Sequence, residues 1–229
     1  MTLRVGRIVD LSHPINADTQ VYPGDPEVRV ETVATVGEDG YQVASLRLGS
    51  HTGTHLDAPL HSVPGAAAVD EIDLARLVGI AVVVDCEGRE SHAVITWSDV
   101  GQQVGRAVRR AADEGAPPAM VLFRTGWSRH FGTQRYLEHP VLAADVAEGL
   151  LAEGITLMGS DTLSPDSTLR NDGALPFHAL FQGAGGLILE NLTNLAAVDW
   201  AHPLVSVFPL ALAGVDGSPV RAVAMQPDA

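Results

Sequence analysis

Between positions 51 and 61 the chain reads His-Thr-Gly-Thr-His-Leu-Asp-Ala-Pro-Leu-His, three histidines and an aspartate within eleven positions. Gly53 and Pro59 keep this stretch out of a regular helix, so it must be built from a turn and extended chain. A tight turn at Gly53 folds His51 back toward His55. Extended chain after His55 points His55 and Asp57 to the same side, because side chains alternate along a strand. His51, His55 and Asp57 then converge on one point, and His61 is left beyond Pro59 as a nearby base. Imidazole nitrogens with a carboxylate are a ligand set for zinc, manganese or iron(II). Histidines that merely cap neighbouring backbone are the alternative, but capping needs no such spacing. The stretch reads as a site for a divalent metal.

Composition narrows the class. The chain has 229 residues, 46% of them hydrophobic, which suits one domain spanning 1–229 with a substantial core. Against 14 basic side chains stand 28 acidic ones, a net charge of −14 that argues against nucleic acid or an anionic membrane as partner. The same field favours divalent cations. No apolar run reaches the ~18 residues of a membrane span, and Met-Thr-Leu-Arg-Val at the start lacks the apolar stretch of a signal peptide. The single cysteine, Cys86, excludes an intrachain disulfide and reads as a buried, inert thiol. A cytoplasmic protein acting on a small molecule is expected.

No internal repeat or long linker divides the chain. The first half is β-rich, with strands expected over 7–11, 28–36, 41–48 and 79–85, set apart by Pro23-Gly24-Asp25-Pro26 and Glu38-Asp39-Gly40. The strand 41–48 delivers the chain into the histidine cluster. In the second half, Val100, Val104, Ala107, Val108 and Ala111 recur at helical spacing over 98–114, and Gly115 stops that helix. A buried strand at 120–124, a helix at 144–152 and a strand at 155–160 follow. Further strands are expected at 186–189, 204–210 and 220–224. Hairpins early and strand–helix–strand alternation late make this an α/β fold with one mixed sheet.

The string His51-Thr-Gly-Thr-His55-Leu-Asp57-Ala-Pro-Leu-His61 resembles the signature of the metal-dependent cyclase-like hydrolases, a family that includes bacterial kynurenine formamidases and isatin hydrolases. Weaker matches fall in the right order at Asp10-Leu-Ser12, Tyr22-Pro-Gly-Asp25, Arg124-Thr-Gly126 and Glu190-Asn-Leu192. The resemblance implies a swivelling β/β/α fold, a homodimer or dimer-based tetramer, and amide hydrolysis with one or two divalent ions. It also implies that His51, His55 and Asp57 hold the first ion and that Asp57 bridges to a second, completed by His178 and Glu190. His61 matches the histidine that shuttles protons. Tyr22 matches a substrate-contacting aromatic position where tryptophan is typical, a departure that leaves the substrate open. Without the family, His178 is a histidine at a helix start and Glu190 a carboxylate ending an apolar run. Such a charge is seldom buried unless paired or metal-bound.

A divalent ion, zinc first and manganese second, makes a water nucleophilic at neutral pH and polarises a carbonyl. The leaving nitrogen needs a proton, and histidine is suited to giving it near pH 7. An alternative is a carbon–oxygen lyase or cyclase that uses the same metal and His61 for dehydrative ring closure. Asp161 is expected either to orient a ligand histidine or to serve as a turn residue. Arg124 reads as an internal ion-pair partner, and Trp97 and Trp200 as core. His13, His92, His130, His139 and His202 are expected at the surface or in caps. The apolar strand near the N-terminus, which a monomer must cover, is expected to pack across a dimer interface with the rest of the segment through Pro26.

Overall fold

Short runs of Val, Ile and Leu that can be buried on both faces pair side by side and form the centre of a nine-stranded sheet. The computed structural model describes residues 5–169 and 173–227. Its strands are β1 (Val5–Asp10), β2 (Arg29–Ala34), β3 (Val43–Arg47), β4 (His55–Asp57), β5 (Val78–Asp85), β6 (Val94–Ile95) and β7 (Met120–Arg124). They continue as β8 (Val141–Leu142), β9 (Leu157–Ser160), β10 (Leu187–Glu190), β11 (Leu204–Ser206), β12 (Gly217–Pro219) and β13 (Val223–Pro227). The helices are α1 (Val36–Asp39), α2 (Trp97–Asp113), α3 (Ala144–Ala152) and α4 (Pro176–Gly183). The large sheet runs β1-β13-β11-β5-β7-β9-β10-β4-β12. Its middle, β5-β7-β9-β10, is parallel and both flanks are antiparallel, the mixed sheet that the sequence implies. Among the described residues, no helix is long and apolar enough to cross a membrane.

Strand alternation divides the interior into two cores. Val82, Val84, Val121, Phe123, Met158 and Ile188 point toward α2, α3 and α4. Their neighbours Ala81, Leu122, Leu157, Leu187 and Leu189 point the other way. There they meet Leu56 of β4, Val205 of β11 and Ala224 of β13, so the sheet curls and its two flanks close over one face. Leu56 is on that closed side, which turns its neighbours His55 and Asp57 toward the helices.

Several boundaries shift for physical reasons. β3 ends at Arg47, and a turn over 48–54 with Gly53 at φ 63° intervenes before β4, so no strand feeds straight into the cluster. The strand expected over 204–210 stops at Ser206, and that expected over 220–224 starts instead at Val223. β12, Gly-Ser-Pro in sequence, was not foreseen, because those residues read as a turn. β1 is an edge strand paired with β13 of its own chain, with its other edge free among the described residues and Ile8 exposed. The hairpin β2–β3 pairs only with itself, and Val30 and Leu46 stand opposite each other on it, exposed.

Trp97, at the start of α2, lies flat between two helices where glycine alone fits. A Cβ at Gly149 of α3 would sit 2.2 Å from the indole, and one at Gly101 would sit 2.6 Å from it. Gly149→Ala should therefore lower stability by about 1–3 kcal/mol through overpacking, outweighing the ~1 kcal/mol that alanine gains in helix propensity. Denaturant unfolding checks this; an unchanged or raised midpoint would show that the helices separate freely.

Candidate metal centre

The register between β10 and β4 assembles the centre. Glu190 stands opposite His55 and Ile188 opposite Asp57, and Ile188 faces the helices, so His55, Asp57 and Glu190 share that face. Pro176 begins α4, whose Phe177 and Phe181 pack into the helix-side core and bring His178 over the same spot. The turn at Gly53 folds His51 back, as its sequence implies: His51 Nδ1 is 2.7 Å from Asp57 Oδ1. His55 Nε2 lies 3.2 Å from Asp57 and 3.3 Å from Glu190. His178 Nε2 lies 3.6 Å from Asp57 and 3.4 Å from Glu190. The five residues expected at a metal therefore meet, although His178 and Glu190 come from the distant half of the chain.

The outer nitrogen of each histidine is tied to an acceptor. His51 Nε2 donates to Asp216 at 2.9 Å, His55 Nδ1 to the Gly53 carbonyl at 2.8 Å, and His178 Nδ1 to Asp166 at 2.8 Å. Each ring thus turns its other nitrogen toward the carboxylates, the nitrogen that would face an ion in the arrangement that metal-ligating histidines adopt. His55 Nε2, Asp57 Oδ2 and Glu190 Oε1 are buried with no hydrogen-bond partner. Buried polar atoms are seldom left so. Three unpartnered donor atoms aimed at one point fit a divalent cation.

Electrostatics agree. Burial alone would pull the histidines' pKa values down, yet the neighbouring carboxylates outweigh it, raising His51 to about 9 and lifting His55 and His178 well above the usual range. Burial would likewise push Asp57 and Glu190 up, but the histidines hold both low. The centre keeps its carboxylates ionised and calls for positive charge.

Among the described residues, two sets of donors each have their ligand atoms within 4.8 Å of one another: His55, Asp57 and Glu190, and His51, Asp57 and His61. Asp57 belongs to both. His61 follows Pro59 in a short 3-10 turn, with its Nδ1 3.2 Å from Asp216 and its ring 4.0 Å from that of His51. Gln182 of α4 steadies this turn, donating to the Ala58 carbonyl and accepting from Ser62. Above the centre opens a cavity of about 290 Å³ lined by Tyr22, Asp25, Leu163, Ser164 and Leu175, together with His61. Burial, and then the charge of Glu190, raise the pKa of the Tyr22 phenol.

Three expectations are corrected or sharpened. Asp161 does not face a ligand histidine; its carboxylate accepts from the Thr125 and Gly126 N–H groups at 2.7 and 2.8 Å and from the Thr125 hydroxyl. It ties the chain after β7 to the end of β9. His139 is not a surface residue but is fully buried, its Nδ1 bonded to the Pro140 carbonyl, and His13 is part-buried and stacked on Phe131. Arg124 pairs with Asp85 at 2.8 Å, an ion pair as expected but at the surface and not internal. Sequence reasoning missed Asp166 and Asp216. Ser164-Pro165-Asp166 and Asp216-Gly217 read as turns, and nothing in them signals the histidines they meet in space.

A model of the cyclase family, described as a putative cyclase, matches residues 9–167. The kynurenine formamidase of Paracidovorax citrulli is 32% identical over 219 residues, covering 95% of this chain and 96% of its own. That of Salinibacter ruber is 33% identical over 222 residues, covering 94% and 96%. Among solved structures, isatin hydrolase A from Labrenzia aggregata, bound to benzyl benzoate, superposes with a TM-score of 0.81 at 28% identity over 97% of this chain and 94% of that one. With more than half of the chain inside the family model and relatives matched along nearly their whole length, the chain belongs to the cyclase family of metal-dependent hydrolases.

Proposed function

We propose that the chain, with 1–229 acting as one domain in the cytoplasm, is a metal-dependent amide hydrolase that cleaves an aryl formamide of the N-formylkynurenine type or a strained cyclic amide of the isatin type. The observation that carries this reading is the set of unpartnered donor atoms on His55, Asp57 and Glu190 at the floor of a cavity, beside a histidine held by a different acceptor. The relatives that match end to end are formamidases, and the isatin hydrolase shares the fold.

His51, His55, Asp57, His178 and Glu190 would hold the metal, zinc by preference and manganese as the second choice. A divalent ion there lowers the pKa of a water toward ~7 and polarises a carbonyl. The remaining work is proton management. Water oxygen bonds to the carbonyl carbon, the carbon–nitrogen bond breaks, and the nitrogen leaves only once protonated. His61 takes the proton from water at Nε2 and returns it to the nitrogen, since Asp216 occupies its Nδ1. Leu163 and Leu175 give the cavity apolar walls for a ring, and Tyr22 contacts the substrate from its rim. In water enriched in oxygen-18, hydrolysis of N-formylkynurenine or isatin should place the label in the product acid. Turnover by ring closure, with unlabelled product, would establish the dehydrative alternative.

Asp57 lies between His51 and His55 on one side and His178, itself beside Glu190, on the other, which supports two ions per chain, the second bound more weakly. Glu190→Gln should lower the metal count from about two to about one and remove most activity. His61→Asn should keep the metal while losing on the order of 10²–10⁴-fold in rate. Elemental analysis beside kinetics checks both; loss of metal in His61→Asn would make that residue a ligand.

The quaternary reading rests on the hairpin β2–β3. Two strands alone are marginal in water, and this pair presents Val30 and Leu46 at 46% and 63% exposure. A second copy packing on that face gives the homodimer, or dimer-based tetramer. Leu46→Glu should shift the dimer toward monomer in light scattering, and a wild type that scatters as a monomer at micromolar concentration would end the idea.

A further inference from the structure

We propose that Asp216 is a positioning residue that sets the working orientation of two histidines at once, His51 on the metal side and His61 on the proton-transfer side. The role given to His61 rests on the hydrolase reading above.

One carboxylate oxygen, Asp216 Oδ2, accepts from His51 Nε2 at 2.9 Å and from His61 Nδ1 at 3.2 Å. The other, Oδ1, accepts from the Ser50 hydroxyl at 2.9 Å. The main chain is fixed as well. The Asp216 carbonyl accepts from the Ala58 N–H at 2.9 Å, and the next residue, Gly217, pairs with Asp57 across the β12–β4 ladder. Gly217 has no room for a side chain, because a Cβ there would sit 2.8 Å from His51 Cε1 and 3.0 Å from the Leu56 carbonyl oxygen. The segment is therefore built against the His51 ring.

Two consequences follow for the protons. By accepting from His51 Nε2, Asp216 leaves His51 Nδ1 as the nitrogen facing Asp57, the direction a ligand needs. By accepting from His61 Nδ1, it leaves His61 Nε2 as the nitrogen that can take a proton from the cavity side. The bond fixes the ring's orientation, as the aspartate of a Ser-His-Asp triad does for its histidine. Because the same oxygen serves both rings, held 4.0 Å apart and tilted by 47°, His61 cannot swing away without losing the bond that it shares with His51. The metal side and the proton carrier stay in register.

The test uses Asp216→Asn and Ser50→Ala in the full-length protein. With zinc at saturation, Asp216→Asn should bind the wild-type metal count, but with affinity about 10–100-fold weaker in a chelator competition. Its kcat should fall on the order of 10–100-fold with KM within about threefold. Nitrogen-15 NMR of the histidines should show His61 leaving the Nδ1–H tautomer. Ser50→Ala keeps the carboxylate but releases one of its anchors, and should give a smaller fall in kcat in the same direction. A zinc-saturated Asp216→Asn with wild-type kcat, or a His61 tautomer that stays put in it, overturns the proposal. Should Asp216→Asn not fold, wild-type kcat in Ser50→Ala overturns it instead. A wild type that cleaves no amide sinks the hydrolase reading alone, because zinc affinity and tautomer are read without substrate.

Discussion

Asp57 lies on an interior strand with no exposure, and an ionised carboxylate in such a place is tolerable only with positive charge and donors close by. Most of the site's construction answers that demand. β4 is only three residues long, yet it is clamped between β10 and β12, so Asp57 has strand neighbours on both sides. The register with β10 brings Glu190 into the same space, a second buried carboxylate that deepens the need for a cation. His55 and His178 then bridge the two acids and His51 closes on Asp57 alone, each held from behind by an acceptor. Those acceptors differ in kind: a main-chain carbonyl for His55, a buried aspartate for His178 and a half-exposed aspartate for His51.

The parts legible in sequence were those with local signals. The unbroken apolar run in 120–124 and the apolar spacing of 98–114 depend on neighbours within a few residues, and β7 and α2 fall where those patterns place them. The turn at Gly53 and the two-residue step from His55 to Asp57 are local too, so half of the centre is visible in eleven residues. His178 and Glu190 became legible only through a resemblance, because what unites them with His55 is strand register and helix packing. Asp166 shows the limit plainly. It caps the start of α4 through the Phe177 and His178 N–H groups and also holds the His178 ring, but in sequence it is an ordinary aspartate in a loop. His139 failed for the opposite reason: polar and proline neighbours suggest surface, while the packing encloses it.

Exposure across the centre is graded, and the gradient gives the site a direction. Side-chain exposure is 0% at Asp57 and 2% at His55 and His178, then 14% at His51, 25% at His61 and 36% at Asp216. The candidate ligands lie at the dry end and the proton carrier with its aspartate at the wet end. A dry end strengthens the electrostatic hold on a carbonyl oxygen, since charges there are poorly screened. A wet end lets a histidine exchange its proton with solvent between turnovers. Under the proposed function, a substrate entering past Tyr22 and Asp25 would present its carbonyl inward and its leaving nitrogen toward His61. A reversed substrate would place the nitrogen among buried carboxylates, away from His61. On this geometry the depth of burial, as much as the identity of any one residue, decides which bond of an amide can be broken.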